Sequence, residues 1–227
     1  MAFGYPIALD LDGRRAVVIG EEAVRHGKVE GLLAAGASVL VVAKGPGDRL
    51  SRLEADDRVV VARRGFEPSD LDEAAVCVAS SHDPAERAAI ATAARRCGVL
   101  VNVMDDNRNC DFAAPAIARR GDLAIAISTG GRSPALARRL RIELEERFGT
   151  EWGELVDIIG RVREETLAGI PDIEERAKMW DEALGPDELT KLADLVRSGR
   201  PKDAELHLRA RLSLREALTP RTEASAR

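Results

Sequence analysis

The stretch VVIGEEAVRHGKVEGLL, Val17 to Leu33, decides how this chain is read. An apolar, β-type run ends in Gly20, and a helix-type pattern follows. Such a strand–glycine–helix transition opens nucleotide-binding units, where glycine lets the backbone approach a pyrophosphate. Here only the first glycine of the G-x-G-x-x-G spacing is present. Glu22 and Arg25 hold the two later positions. A P-loop is excluded as well: six residues separate Gly20 from Gly27-Lys28, and Val29 stands where Ser or Thr is required. By motif alone, a nucleotide site and a plain strand–helix turn both remain open. Electrostatics weighs against a dinucleotide, since two unit charges about 6 Å apart at an effective dielectric near 20 repel by roughly 3 kcal/mol. Arg25, His26 and Lys28 are near enough in sequence to offset part of that. The acid that usually grips a ribose at the end of the second strand is missing, because that strand ends Val42-Ala43-Lys44.

Around this stretch, strand and helix signals alternate. Arg15–Gly20 predicts a buried strand and Val24–Ala35 a helix stopped by Gly36. Ser38–Ala43, Arg58–Ala62, Ala75–Ser80 and Val99–Met104 predict further strands, with an alanine-rich helix over Pro84–Cys97. Near-continuous apolar strands separated by helices mean a parallel sheet covered on both faces. The fold class is therefore α/β, with an N-terminal Rossmann-like parallel sheet. Leu123–Ser128 predicts one more strand and Pro134–Phe148 a helix capped by Ser133. Everything past Gly149 reads as helix: Trp152–Leu167, Ile173–Ala183, Pro186–Ser198 and Lys202–Leu218. The expected division is residues 1–112, 113–149 and 150–218, with a frayed tail at 219–227.

Composition bounds the function. The chain has 227 residues, 45% hydrophobic, 32% charged and 3% aromatic, so its core must be built from aliphatic side chains. A net charge of -5 and scattered arginine pairs exclude the concentrated basic surface that nucleic-acid binding needs. Three cysteines without a CxxC spacing give neither a disulfide framework nor a thiolate metal site. The start MAFGYPIALDLDG lacks a secretory pattern and no run approaches the roughly 20 apolar residues of a membrane span. A cytoplasmic location is the expectation.

Two further segments can carry chemistry. VNVMDDNRNCDF, Val101–Phe112, sets Asp105 and Asp106 at a strand's carboxyl end, where doubly wound sheets bind ligands. A carboxylate there serves as a general base, or else as a turn cap. STGGRSPALARRL, Ser128–Leu140, brings two hydroxyls, Gly130, Gly131 and Arg132 before a helix start, a natural anion cradle or a plain connection. His26, His82 and His207 show no metal-ligand spacing, although His82 follows the fourth strand and borders the cleft or the surface.

Taken in order, YPIALDLDGRRAVVIG, KVEGLLAAGASVLVVA, RRGFEPSDLDEA, NVMDDNRNCDFAAPAIARRGDLAIAISTGGRSPALARRLR and RAKMWDEAL resemble the siroheme synthase N-terminal family, the precorrin-2 dehydrogenases. The resemblance runs over nearly the whole chain, and Asn102–Arg141 is its most specific part. It implies a Rossmann domain, a central dimerisation region, a small helical domain and a homodimer. It also implies oxidation of the tetrapyrrole precorrin-2 to sirohydrochlorin with NAD, and in some members insertion of ferrous iron. The family's important aspartate falls on Asp105. Its cofactor turn falls on Gly20, Glu21, Glu22, Ala23 and Val24, with further contacts at Lys44, Gly45, Ser80 and Ser81. The substrate falls to Ser128, Thr129, Gly130, Gly131, Arg132 and Ser133, and no residue is assigned to a resident metal. The departures lie on the cofactor side: the family's G-G-G-x-V-A-x-R-K reads G-E-E-A-V-R-H-G-K, and its A-A-T-D-D reads A-S-S-H-D over Ala79–Asp83. The alternatives are a chelatase or tetrapyrrole-binding protein that has dropped NAD, and a non-catalytic dimeric scaffold.

Overall fold

A computed structural model describes residues 5–45 and 48–214. The chain divides into two compact units, one taking the residues up to Ala114 with Gly130–Arg132, the other Pro115–Thr129 and the residues from Ser133 onward.

The first unit is a five-stranded parallel sheet. Its strands are β1 (Arg15–Ile19), β2 (Ser38–Val42), β3 (Val59–Ala62), β4 (Ala74–Ala79) and β5 (Leu100–Val103). Their order is β3-β2-β1-β4-β5. The chain thus steps outward from β1 on one side, then returns to its other side, so the switch point lies between β1 and β4. The α/β class expected from the sequence is the class observed. Val17 and Val18 are fully buried, and the two apolar clusters built on neighbouring residues of β1 lie one on each face of the sheet. Burial pushes the Cys77 thiol on β4 up to about 12, which makes it a packing residue and not a nucleophile.

Register sets the site. Ile19 lies opposite Val42 and Ala79, and Ala79 opposite Val103. The carboxyl ends of the four strands are therefore level. The ladder runs one residue further: Gly20 N donates to Val42 O, Ser80 N to Ile19 O and Met104 N to Ala79 O, each at 2.8 Å. The turn residues are thus fixed by sheet hydrogen bonds and not by loop chance.

The helix expected over Val24–Ala35 is two short helices, α1 (Glu21–Arg25) and α2 (Lys28–Leu33). Gly27 between them has φ 70° and ψ 25°, a left-handed conformation that breaks a helix and that glycine adopts at no steric cost. A short helix, α3 (Asp48–Leu53), follows β2 and had no sequence signal strong enough to place it. The helix α4 (Pro84–Arg96) is capped by Asp83, whose side chain accepts from Ala85 N.

The second unit opens with a hairpin. A strand the sequence reading passed over, β6 (Ala116–Arg120), pairs antiparallel with β7 (Leu123–Ile127), and Arg120 lies opposite Leu123 across the Gly121-Asp122 turn. Helices α5 (Pro134–Arg147), α6 (Glu151–Gly169), α7 (Ile173–Ala183), α8 (Pro186–Arg197) and α9 (Pro201–Arg211) follow. Leu155, Ile158 and Val162 of α6 pack with Leu192 of α8 and Leu208 of α9 at full burial. Apolar residues at three- and four-residue spacing explain that helical core. The helix expected over Lys202–Leu218 begins at Pro201 and ends at Arg211. Its predicted last residues and the 219–227 tail lie outside the described residues. Among the described residues no helix is long and apolar enough to cross a membrane.

Candidate active site

A cleft of about 490 Å³ opens at the carboxyl ends of the strands. It is lined by Gly20, Glu21, Glu22 and Arg25 after β1, Lys44 after β2, Arg64 to Phe66 after β3, Ser80 to His82 after β4, and Met104 and Asp105 after β5. This is the crevice at the switch point where doubly wound sheets bind ligands, and its size is that of a small-molecule site.

The first turn is held from behind. Gly20 has φ 90° and ψ 147°, and a Cβ there would sit 2.1 Å from the Ser80 carbonyl oxygen. No residue but glycine fits. The Ser80 hydroxyl accepts from Ala23 N at 2.9 Å and faces Ile19 O at 3.3 Å, so it satisfies an amide that the start of α1 would otherwise leave open. Glu22 is turned aside: it pairs with Arg25, and its other oxygen lies 3.5 Å from His26 Nε2. Glu21 does the reverse. It lines the cleft, and among the described residues it makes no hydrogen bond or ion pair.

The far side is organised by Arg87 of α4. Its Nε donates to Asp106 Oδ2 at 3.0 Å and its Nη1 to Ser81 O at 3.0 Å, which ties the β4 and β5 turns together. Asn109 also donates to Asp106, at 2.9 Å. The Asn109 bond, joined by Arg87, outweighs desolvation and holds the Asp106 carboxyl below the usual carboxylate range. Asp105 is exposed and has φ 59°. Asp is among the few side chains that tolerate this left-handed conformation. The adjacent acids are therefore divided: Asp106 is the turn tie, Asp105 the group in the cleft.

Of the residues singled out in the sequence, the cleft gathers Gly20, Glu21, Glu22, Lys44, Ser80, Ser81, His82 and Asp105. Ala23 and Val24 are buried in the core behind the turn. Gly45 is not a lining residue, and its missing side chain leaves room that Glu21 fills. Ser128 to Ser133 do not line this cleft. Within that turn, Ser133 N donates to Thr129 Oγ1 at 3.1 Å and Ser133 Oγ caps Leu136 N at 3.2 Å. Sequence reading missed Arg64 and Arg87. Arg64 grips the buried Asp70 through two bonds of 2.6 and 2.9 Å. Burial alone would raise the Asp70 carboxyl, but Arg64 and the Glu67 amide outweigh it and hold it low. The compact GFEPSDLD turn, six residues from Arg64 to Asp70, was the signal for that pair. Arg87 carried none, because its partner lies on a different strand end. No group of three metal-ligating side chains occurs among the described residues.

Residues 7–116 match the family model described as putative NAD(P)-binding, 120–147 the central region of sirohaem biosynthesis proteins, and 151–212 the sirohaem synthase dimerisation region. Siroheme synthase 1 of Yersinia enterocolitica is 34% identical over 91% of this chain, and siroheme synthase of Methylococcus capsulatus 36% identical over 88%. Those matches span 43% and 41% of the two relatives, so the chain covers about two fifths of their length. The solved structure of SirC, a precorrin-2 dehydrogenase, has the same fold, with a TM-score of 0.66 at 21% identity over 91% of this chain and all of that one. With three family models in sequence over residues 7–116, 120–147 and 151–212, the chain belongs to the siroheme synthase N-terminal family.

Proposed function

We propose that this chain oxidises precorrin-2 to sirohydrochlorin in siroheme biosynthesis, with NAD as acceptor. The observation that carries this reading is the cleft itself: one opening, at the switch point of a parallel sheet, holds both the Gly20 turn and Asp105. The residues fit a dinucleotide. Of the two acids that stand where the family has glycine, Glu22 is neutralised by Arg25, and Glu21 reaches away from the turn towards Gly45. Gly20 keeps the backbone open, and Arg25, Lys44, Arg64 and Arg87 balance Glu21, Glu22, Glu86 and Asp105 around the rim. Gly20, Glu21, Glu22, Ala23, Val24, Lys44, Gly45, Ser80 and Ser81 would form the cofactor side, Ala23 and Val24 as the buried support behind the turn. NAD bound there supplies a hydride acceptor.

Asp105 is assigned the proton removed from the substrate, or the hold on its pyrrole nitrogens. An exposed carboxylate in a pinned turn is suited to either task. Ser128, Thr129, Gly130, Gly131, Arg132 and Ser133 are assigned to the substrate's carboxylates, for which amides and a guanidinium are the matching donors. A homodimer is proposed from the match of 151–212 to a dimerisation region. Ferrous iron, as a second substrate, belongs to the alternative in which the chain is a chelatase. The partnerless Glu21 in the cleft favours that alternative by its charge.

One experiment separates the two. Purified protein is titrated with NAD and with sirohydrochlorin by calorimetry, then supplied with precorrin-2 and NAD. Binding of both, with sirohydrochlorin formed, supports the dehydrogenase. Tetrapyrrole binding without NAD binding or turnover supports the alternative.

A further inference from the structure

We infer that Glu21 is the carboxylate that grips the adenosine ribose of the cofactor, and that the cleft therefore selects NAD(H) over its 2′-phosphorylated form. The inference rests on the dinucleotide reading above. In doubly wound sheets that carboxylate stands at the end of the second strand. There it accepts from the ribose 2′-hydroxyl and repels a 2′-phosphate. The second strand of this chain ends in Ala43-Lys44-Gly45, with no acid.

Gly45 is the telling residue. Its φ lies outside the left-handed region, so its backbone does not call for glycine. What glycine provides there is space. A Cβ at position 45 would lie 2.2 Å from Glu21 Oε1 and 2.8 Å from Glu21 Cδ. The Glu21 carboxylate thus occupies the spot where a side chain from the end of β2 would begin. It reaches from the first turn to the place the second strand leaves empty. Both of its oxygens are unengaged among the described residues, whereas those of Glu22 are taken by Arg25 and His26. Lys44 is the rival, since an ammonium would welcome a 2′-phosphate. Its stem lies over Gly65 instead: a Cβ there would be 3.2 Å from Lys44 Cε and 3.7 Å from Nζ, which draws the amine towards the end of β3.

The test is a fluorescence titration of the full chain with NADH and NADPH, for the wild type, Glu21→Gln, Glu21→Gly and Lys44→Ala. Thermal melts confirm that each variant folds. The wild type is expected to bind NADH at least about tenfold tighter than NADPH, the scale of a charge-assisted bond to a sugar hydroxyl. Glu21→Gln and Glu21→Gly should weaken NADH, leave NADPH equal or tighter, and collapse the preference. Lys44→Ala should leave the preference in place. A wild type that prefers NADPH overturns the inference. So does NADH affinity unchanged by Glu21→Gln, or both nucleotides tightening together in Glu21→Gly, because the glutamate would then only repel the pyrophosphate. Failure of the wild type to bind either nucleotide removes the dinucleotide reading itself, and this inference with it.

Discussion

The turns after β1 and β5 are built alike and used differently. Each sets two adjacent acids at the carboxyl end of its strand, Glu21-Glu22 after the central β1 and Asp105-Asp106 after the edge strand β5. In each, an arginine takes one acid: Arg25 takes Glu22, and Arg87 takes Asp106. The other acid is left in the cleft without a partner among the described residues. The backbones reach this outcome by opposite means. At β1 the strain is carried by Gly20, where any Cβ would strike the Ser80 carbonyl. At β5 it is carried by Asp105 itself, at φ 59°. The arginine ties differ as well. Arg25 is three residues from Glu22 on the same short helix, with both side chains well exposed. Arg87 comes from a separate helix, and Arg87 and Asp106 are 24% and 17% exposed. A local tie on the surface is weak and replaceable, whereas a tie between elements fixes the shape of a turn.

That contrast can be broken at four points. The largest effect is expected from Asp105→Asn. Asparagine also tolerates the left-handed backbone, so the fold should persist while the charge is lost. Turnover of precorrin-2, followed by sirohydrochlorin absorbance, should fall about 10²- to 10⁴-fold. Unchanged turnover would remove Asp105 from the reaction. Gly20→Ala comes next, as a change in stability. A Cβ against backbone at φ 90° should cost on the order of 3 kcal/mol or more in denaturant unfolding. A loss below about 1 kcal/mol would show that the turn can shift.

Asp106→Asn should cost about 1–2 kcal/mol, the worth of a part-buried, charge-assisted bond. The sign of its pH dependence follows from its lowered folded pKa. The stabilisation is present above the unfolded value near 4 and is lost as pH falls through the folded one. Wild type and variant should therefore differ at pH 7 and converge as pH falls below the ordinary carboxylate range. Convergence at neutral pH would show that the tie is ornamental. The smallest effect belongs to Glu22→Ala. An exposed pair on one helix should change stability by less than about 0.5 kcal/mol, and a larger loss by thermal melt would erase the difference between the two turns.

Much of this was legible in the sequence, because the parallel sheet writes itself as apolar runs broken by glycine. RAVVI, SVLVV and AAVCVA fell within a residue or two of their observed ends. The misses have physical causes. The strand Ala116–Arg120 buries only Ala118 and shows two arginines, so its apolar signal was thin; the pairing with β7 across a two-residue turn is what makes it a strand. The helix break at Gly27 was hidden by an apolar pattern that continues across it. In the cleft, Gly20 and Asp105 were found by position along the chain, and Arg64 and Arg87 were not. An arginine's role depends on the carboxylate it meets, and Asp106 lies 19 residues from Arg87.

The sequence by itself determined the fold class, the strand ends and the residue types that crowd them, because burial and turn chemistry are short-range in the chain. Only the tertiary structure decided which acid of each pair faces the cleft. Two neighbouring carboxylates have the same composition, charge and propensity. What separates them is an arginine from another element, or a glycine gap opposite, and both come into place only when the strands stand side by side with their carboxyl ends level.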